Sequence, residues 1–338
     1  MKILITGSAG FIGAHVTARL LEMGHAVVGI DSINDYYDVD LKLNRLQSLG
    51  GILASEISEL DFVQSRKYER YRFIRLNTQQ RERIAEIFSS ERFDAVCHLA
   101  SQSGVRYSVE NPYAYIDNNI NGFIPILEGC RHNGVGKLVY ASSSSVYGDS
   151  DVVPFSEEFC VTRPASLYAA TKKANELMAY SYSSLYRFQT VGLRFFTVYG
   201  PWGRPDMAPF LFSRSTIEGR PIKVFNNGDL YRDFTYIDDI VEGIVRILFD
   251  YTNEEEVPYS VFNIGNHTPV KLTDFIKCIE QACGKSAIVQ NEPMQLGDVH
   301  TTYADVSKLI NAVGFAPNTS LTDGIGRLVD WLRWYYKM

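Results

Sequence analysis

The first 31 residues constrain this chain more than any other part of it. Met1-Lys-Ile-Leu-Ile-Thr6 is a short β-rich apolar run that leads directly into Gly7-Ser-Ala-Gly10-Phe-Ile-Gly13. A helical pattern follows through Ala14-His-Val-Thr-Ala-Arg-Leu-Leu-Glu-Met23. Gly24 ends it, and Ala26–Ile30 reads as a second buried strand closing at Asp31. Strand, glycine-rich turn, helix, strand and terminal carboxylate in that order specify a dinucleotide-binding unit, which bare glycines would not. Gly7 allows the tight turn, Gly10 lets backbone approach a pyrophosphate, and Gly13 lets the helix pack on the strand. The helix N-terminus then offers free N–H groups to the phosphates. Asp31 is placed to accept from a ribose 2′-hydroxyl and to repel a 2′-phosphate, which favours NAD over NADP.

The alternation continues. A polar, tyrosine-rich stretch from Ser32 to Tyr71 holds a helix near Leu41–Leu49, a Gly50-Gly51 break and a charged segment around Arg66–Arg72. Tyr71–Leu76 reads as a strand, Arg81–Phe88 as a helix, and Phe93–Ala100 as a buried strand in which His98 is a core histidine, not a ligand. Asn111-Pro112 starts a helix running towards Cys130 and ending by Gly134. A kink is expected at Pro125, which removes the bond to the Asn121 carbonyl. Lys137–Ser142 is the next strand, Ser166–Tyr186 a long helix and Thr190–Phe196 another strand. Such alternation predicts an α/β, Rossmann-type doubly wound parallel sheet covered on both faces.

From Thr197 the pattern breaks down. Val198 to Asp206 is rich in turn formers and reads as a loop reaching over a ligand. Arg232 to Asp239 leads into an apolar helix, Ile240–Phe249; Glu254 to Glu256 is a solvated loop; Val261–Ile264 is a last strand before a mostly helical remainder. The expected organisation is a dinucleotide-binding domain, 1–196 plus about 235–266. A smaller, mostly helical C-terminal substrate-binding domain takes about 197–234 and 267–338. Ligands of open parallel sheets bind beyond the carboxyl ends of the strands. Gly7, Ala100, Ser143 and Thr197 lie at such ends and should converge on one crevice.

Within that crevice Tyr168-Ala-Ala-Thr-Lys172 carries the chemistry. A tyrosine and a lysine four apart on a helix share a face. A free phenol has a pKa of about 10, and bringing it to about 7 takes roughly 4 kcal/mol of preferential phenolate stabilisation. A nearby ammonium and the charge of an oxidised nicotinamide are the environment that supplies it. The serine run Ser142–Ser145 lies just upstream, and one of its hydroxyls can hold a substrate hydroxyl in line for proton removal.

Composition narrows the partners. The formal charge of −6 on 338 residues argues against a general nucleic-acid or anionic-membrane surface, leaving room for a local basic pocket. The first strand begins at Lys2, so no signal peptide is expected, and no apolar run approaches membrane-spanning length. The five cysteines are scattered and lack metal-ligand spacing, so no metal site and reduced cytosolic thiols are expected.

These motifs resemble the extended short-chain dehydrogenase/reductase family, and within it the nucleotide-sugar 4-epimerases. The Gly7–Gly13 turn, Asp31, Asn119, the Ser143/Tyr168/Lys172 set and Arg232-Asp233 fall in family order. Asn34-Asp-Tyr-Tyr-Asp38, Gln102-Ser-Gly-Val-Arg106, Ala141 to Gly148 and Gly200-Pro-Trp-Gly-Arg-Pro-Asp-Met207 are similar to segments of the UDP-glucuronate 4-epimerases. The resemblance implies an NAD-dependent isomerase acting on a UDP-sugar: oxidation at C4, rotation of the 4-keto intermediate, and re-reduction. Tyr168 is implied as base, Lys172 as the residue lowering its pKa and binding the nicotinamide ribose, and Ser143 as the partner of the sugar 4-hydroxyl.

Around the cofactor the resemblance implies Phe11, Ile12, Ser32, Asn34, Asn77, Thr78, Leu99, Ala100, Ser101, Gln102, Asn119, Ser142, Phe195 and Val198, besides the glycines and Asp31. Around the substrate it implies Arg106, Ser144, Ser145, Thr197, Arg204, Val224, Phe225, Arg232, Gln295 and Asp298. A homodimer through the helices near Asn111 and Ser166, a cytoplasmic location and a polysaccharide-precursor product are further implications. The chain departs from the family in having Asn77 where Asp is usual and Gln295 where many UDP-glucose epimerases have Arg. It also has a longer 48–68 segment and unusual prolines at Pro125 and Pro209.

Related dehydratases and decarboxylases carry a carboxylic acid just before Val-Tyr-Gly. Here those positions are Ser144 and Ser145, which favours epimerisation over either lyase. A neutral UDP-hexose as substrate and a non-catalytic NAD-binding sensor remain as alternatives.

Overall fold

Short runs of Ile, Leu and Val that are apolar on both sides become central strands of a parallel sheet covered on two faces. The computed structural model describes residues 1–294 and 299–338. The main sheet is built from β1 (Lys2–Thr6), β2 (Ala26–Asp31), β3 (Phe62–Gln64), β4 (Tyr71–Arg75), β5 (Ala95–His98), β6 (Lys137–Ser143), β7 (Gln189–Phe195) and β11 (Tyr259–Ile264). Their order is β11-β7-β6-β5-β1-β2-β4-β3, parallel throughout except for β3. Successive side chains of β1 point to opposite faces. Ile3 and Ile5 join a core with Val16 and Leu20 of the Phe11–Glu22 helix and Ile240 and Ile244 of the Ile237–Phe249 helix. Leu4 joins the other core, with Ile84 and Phe88 of the Arg81–Glu91 helix and Ile126 of the Ile124–His132 helix.

The chain winds outward from β1 through β2 and β4, then crosses back to β5 and winds the other way. The reversal between β1 and β5 opens a crevice at the carboxyl edge. Register makes that edge level: Thr6 lies opposite both Ile30 and His98, and Ser143 lies opposite Phe195. His98 is a core histidine as expected. Its Nδ1 meets Thr6 Oγ1 at 2.7 Å, its ring stacks on Phe123, and burial depresses its pKa to about 3.

Two expectations need correction. The helix from Asn111 is not one kinked rod: a Pro112–Tyr115 turn passes into a π-helical stretch, Ile116–Asn121, and a new helix begins at Ile124. Pro125 therefore sits in a first turn, where its missing N–H leaves no bond unmade, and the expected kink is a break. The region from Thr197 also contains strands that the sequence pattern does not announce. β8 (Thr197–Tyr199), β10 (Tyr231–Tyr236) and β12 (Pro269–Lys271) form one small sheet, and β9 (Pro221–Phe225) pairs with β13 (Ile288–Glu292). The helices Ala208–Glu218, Leu272–Cys283 and Leu321–Tyr336 complete this part. Finally, the long 48–68 segment has a structural account: it contributes β3, an antiparallel edge strand on β4. Among the described residues no helix is long and apolar enough to cross a membrane, and no group of His, Cys, Asp and Glu could hold a metal ion.

Candidate active site

The glycine-rich turn leaves no room for side chains. Gly7 has φ +74°, and a Cβ there would stand 2.7 Å from the Ala100 nitrogen; one on Gly13 would stand 2.1 Å from the Gly7 carbonyl. The Phe11–Glu22 helix starts at Gly10 with no side-chain cap, so its first N–H groups are left for an anion. Asp31 shapes the far side of the turn: its Oδ2 accepts from Ala9 N at 3.0 Å and its Oδ1 from Ile33 N at 2.8 Å. Lys42 Nζ donates to the carbonyl and the side-chain oxygen of Asn34, each at 2.5 Å. A bare cradle, an uncapped helix N-terminus and a terminal carboxylate together fit a dinucleotide.

The turn forms one end of a crevice of about 1340 Å³. The middle is the Ser143/Tyr168/Lys172 set. Ser143 ends β6, with its Oγ accepting from Ser145 N at 3.1 Å and donating to Ser145 Oγ at 3.2 Å. Ser166 caps the Leu167–Tyr186 helix by accepting from Ala169 N at 3.1 Å, which puts Tyr168 in the first turn and Lys172 one turn on. Lys172 is 2 % exposed; its Nζ donates to Ala141 O at 2.9 Å, and burial depresses its ammonium to about 7. Burial pushes the Tyr168 phenol above its usual value, while the Ser143 hydroxyl and the Arg204 charge pull it down. The Ser143 hydroxyl and the Arg204 charge thus favour the phenolate in this chain.

A buried polar network stands behind that set. Glu176, one turn after Lys172, accepts from Ser142 Oγ at 2.7 Å and from Arg194 Nε and Nη2 at 2.8 and 2.9 Å. Arg194 Nη1 donates to the Tyr147 hydroxyl, which donates to Asn263 Oδ1. Tyr147 closes the short Ser144–Tyr147 turn, so the network tethers the serines that face the crevice.

Thr197, Ser144, Ser145 and Arg204 line the same crevice. Arg204 is gripped by Asp206, Nε to Oδ1 at 3.1 Å and Nη2 to Oδ2 at 2.5 Å, and Tyr36 donates to the same Asp206 Oδ2 at 3.2 Å. The Arg106 guanidinium lies over the Phe225 ring at 5.0 Å, and Arg232 Nη1 donates to the carbonyls of Tyr231 and His300.

Most of the expected site residues line this crevice, from Gly7, Phe11, Ile12, Asp31, Ser32, Asn34, Asn77 and Thr78 through Leu99 to Gln102, Phe195 and Val198. Two do not. Asn119 is buried behind the wall, where its amide bonds both backbone groups of Gln102 and the Thr171 hydroxyl; it holds the Gln102 segment against the Leu167–Tyr186 helix. Val224 faces the core because β9 alternates, and Lys223 and Phe225 take the crevice side instead. Gln295 and Asp298 lie outside the described residues.

Sequence reasoning missed Tyr36, Lys42, Tyr107, Asp206 and Lys223, all on the crevice wall. A usable signal existed for Lys42. It sits in the buried stripe Leu41, Lys42, Arg45, Leu46 of the Val39–Gly50 helix, and cations at core positions flag a task other than packing.

Comparison with known proteins agrees with this geometry. Residues 3–265 match the model of the NAD dependent epimerase/dehydratase family. The chain is 47 % identical to protein CapI of Staphylococcus aureus over 100 % of both chains. It is 43 % identical to the probable UDP-glucuronate 4-epimerase of Rhizobium meliloti, covering 100 % of this chain and 98 % of the relative. A crystal structure of UDP-glucuronic acid 4-epimerase from Bacillus cereus, in complex with UDP-glucuronic acid and NAD, superposes with a TM-score of 0.88 at 34 % identity, covering 99 % of this chain and 100 % of that one. A dinucleotide cradle, a Ser/Tyr/Lys centre and a family match spanning both place this chain in the NAD dependent epimerase/dehydratase family.

Proposed function

We propose that the protein is a UDP-glucuronate 4-epimerase, interconverting UDP-glucuronate and UDP-galacturonate with tightly held NAD. The observation that carries the reading is that Ser144, Ser145, Thr197 and Arg204 line the same crevice as Tyr168 and Lys172. Together those four offer a carboxylate three hydroxyls and a guanidinium at the place where a lyase of this fold would put an acid. NAD, when bound, supplies hydride acceptance from C4 and its return. Ser143 holds the C4 hydroxyl, Tyr168 takes its proton and later gives it back, and Lys172 holds the nicotinamide ribose. The 4-keto sugar turns about its diphosphate, which Arg232 and Arg106 hold. Residues 1–196 with 235–266 carry the dinucleotide, and 197–234 with 267–338 carry the nucleotide sugar. Incubating the purified protein separately with UDP-glucuronate, UDP-glucose and UDP-N-acetylglucosamine tests the reading. Conversion of the first is expected, and turnover of a neutral sugar alone would replace it.

Oxidising glucuronate at C4 creates a β-keto acid, which loses CO₂ when its carboxylate is poorly solvated and perpendicular to the ketone plane. Thr197→Ala and Ser144→Ala are expected to slow epimerisation and to raise the fraction of turnovers ending as UDP-4-keto-pentose with reduced nicotinamide stranded on the enzyme. Mass spectrometry and nicotinamide absorbance read both. Slower turnover with neither product would clear these hydroxyls of the role.

Asp31→Ala is expected to relax the preference of stripped protein for NAD over NADP. Because Asp31 also holds two backbone N–H groups, charge-assisted bonds worth about 1.5–3 kcal/mol each, both affinities should fall while their ratio moves towards one. Fluorescence titration with each dinucleotide measures the ratio; equal affinities in the wild type would refute the reading of Asp31.

We further propose that the enzyme is a homodimer and works in the cytoplasm. Val109, Tyr113, Leu177 and Leu185 are 78, 79, 58 and 69 % exposed on three helical segments that pack together, apolar side chains that a second copy would cover. Five free thiols suit a reducing compartment.

A further inference from the structure

We propose that Arg45 is a positioning residue: it ties the glycine-rich turn to the loop bearing Arg204, so that the carboxylate end of the crevice takes its geometry from the cofactor end. The inference rests on the reading of the site as one for UDP-glucuronate.

Arg45 is fully buried on the Val39–Gly50 helix. Its Nη1 donates to Ala9 O at 3.2 Å and to the Tyr37 hydroxyl at 2.7 Å, its Nε to Trp202 O at 2.9 Å and its Nη2 to Gly203 O at 3.1 Å. Three carbonyls from two distant loops therefore converge on one planar cation, a fork that lysine cannot reproduce. The two peptide groups flanking Ala9 are both pinned, the Ala9 N–H by Asp31 and the Ala9 carbonyl by Arg45.

At the other end Trp202 has φ +63°, a left-handed conformation that a bulky side chain resists. Two contacts hold it there. Arg45 grips its carbonyl, and its indole is wedged among Trp331, Trp334 and Tyr335 with ring centroids 5.2, 6.1 and 5.2 Å away. The next carbonyl, that of Gly203, belongs to the peptide from which Arg204 departs. Fixing it fixes the direction in which the Arg204 side chain leaves the backbone before Asp206 engages it.

The test is calorimetric titration of holoenzyme with UDP-glucuronate, UDP-glucose and UDP. Arg45→Lys is expected to weaken UDP-glucuronate at least about tenfold while UDP and UDP-glucose change by less than about twofold. In an Arg204→Ala background the same substitution should then have no further effect on UDP-glucuronate. Equal weakening of all three ligands, or effects of the two substitutions that simply add, would overturn the proposal in favour of a general structural role. A wild type that binds UDP-glucuronate no better than UDP-glucose would instead overturn the substrate reading. A second measurement needs no variant: in stripped wild-type protein, NAD added alone should slow amide exchange across residues 200–207. Unchanged exchange in that loop would sink the proposal even if Arg45→Lys fails to fold.

Discussion

Tyr168→Phe is expected to lower kcat by about 10²–10⁴-fold, the usual contribution of a positioned general base, while leaving the fold and bound NAD in place. The substitution removes one oxygen. The ring keeps its edge-to-face contact with Tyr115, whose centroid lies 6.0 Å away, and Ser166 still caps the helix. Single-turnover kinetics with UDP-glucuronate, alongside dinucleotide content by absorbance, separate lost chemistry from lost cofactor. Retention of more than about a tenth of the wild-type kcat would assign the base elsewhere.

The largest stability effect is expected from Arg194→Met. Burial alone would raise the Glu176 carboxyl, but bonds from the Arg194 guanidinium, with help from Lys173 and Ser142, hold its pKa below the ordinary value. Removing the guanidinium leaves a buried carboxylate short of its main partner, a loss of about 3–5 kcal/mol. The melting temperature should fall by roughly 5–15 °C. The sign with pH follows. In the wild type the depressed pKa contributes stability that is present above the unfolded value and is lost as pH falls through the folded one. In the variant burial raises the folded pKa, so protonation relieves it, and the gap between the proteins should narrow as pH is lowered from about 7 to about 5. Replacing both partners, Arg194→Met with Glu176→Leu, should recover most of the loss, because an apolar pair pays no desolvation. Thermal unfolding across that pH range checks all three statements; a double variant no more stable than the single one would rule out the buried charge as the cause.

What could be read from the sequence depended on how far each feature reached. β1, β2 and β5 are short, mostly apolar runs, and their residues declare them one by one; β1, with Ile3, Leu4 and Ile5 all buried, is the plainest case. β8, β12 and β13 are only three to five residues long, and β9 finds its partner in β13 more than sixty residues later, so local pattern carries no trace of the pairing. The Ser143/Tyr168/Lys172 centre was legible because helix period and strand ends fix it. Asn119 shows the limit of motif reasoning: its place in family order is real, yet its amide is consumed by Gln102 and Thr171. Arg45 flags itself only as a second cation in the buried stripe that holds Lys42, and the sequence does not say what it binds. Three of its four partners are backbone carbonyls, which any residue supplies, so nothing in the side-chain sequence marks them.

The return of the chain to the main sheet at β11 has a consequence for synthesis. β7 is complete by Phe195, but its outer edge is paired only when Tyr259–Ile264 arrives. Between those points lie β8, β9 and β10, and β10 bonds to β8, not to β7. A growing chain therefore carries a strand destined for burial with one row of unpaired peptide groups while some sixty further residues are made. At roughly 5–20 residues per second that interval lasts several seconds. Fragments that stop before residue 259 would keep the edge open permanently, and an open edge is a template for pairing with another chain. Forms of this protein that end before residue 259 should consequently be lost to aggregation, whereas a form that keeps Tyr259–Ile264 retains the partner that closes the edge.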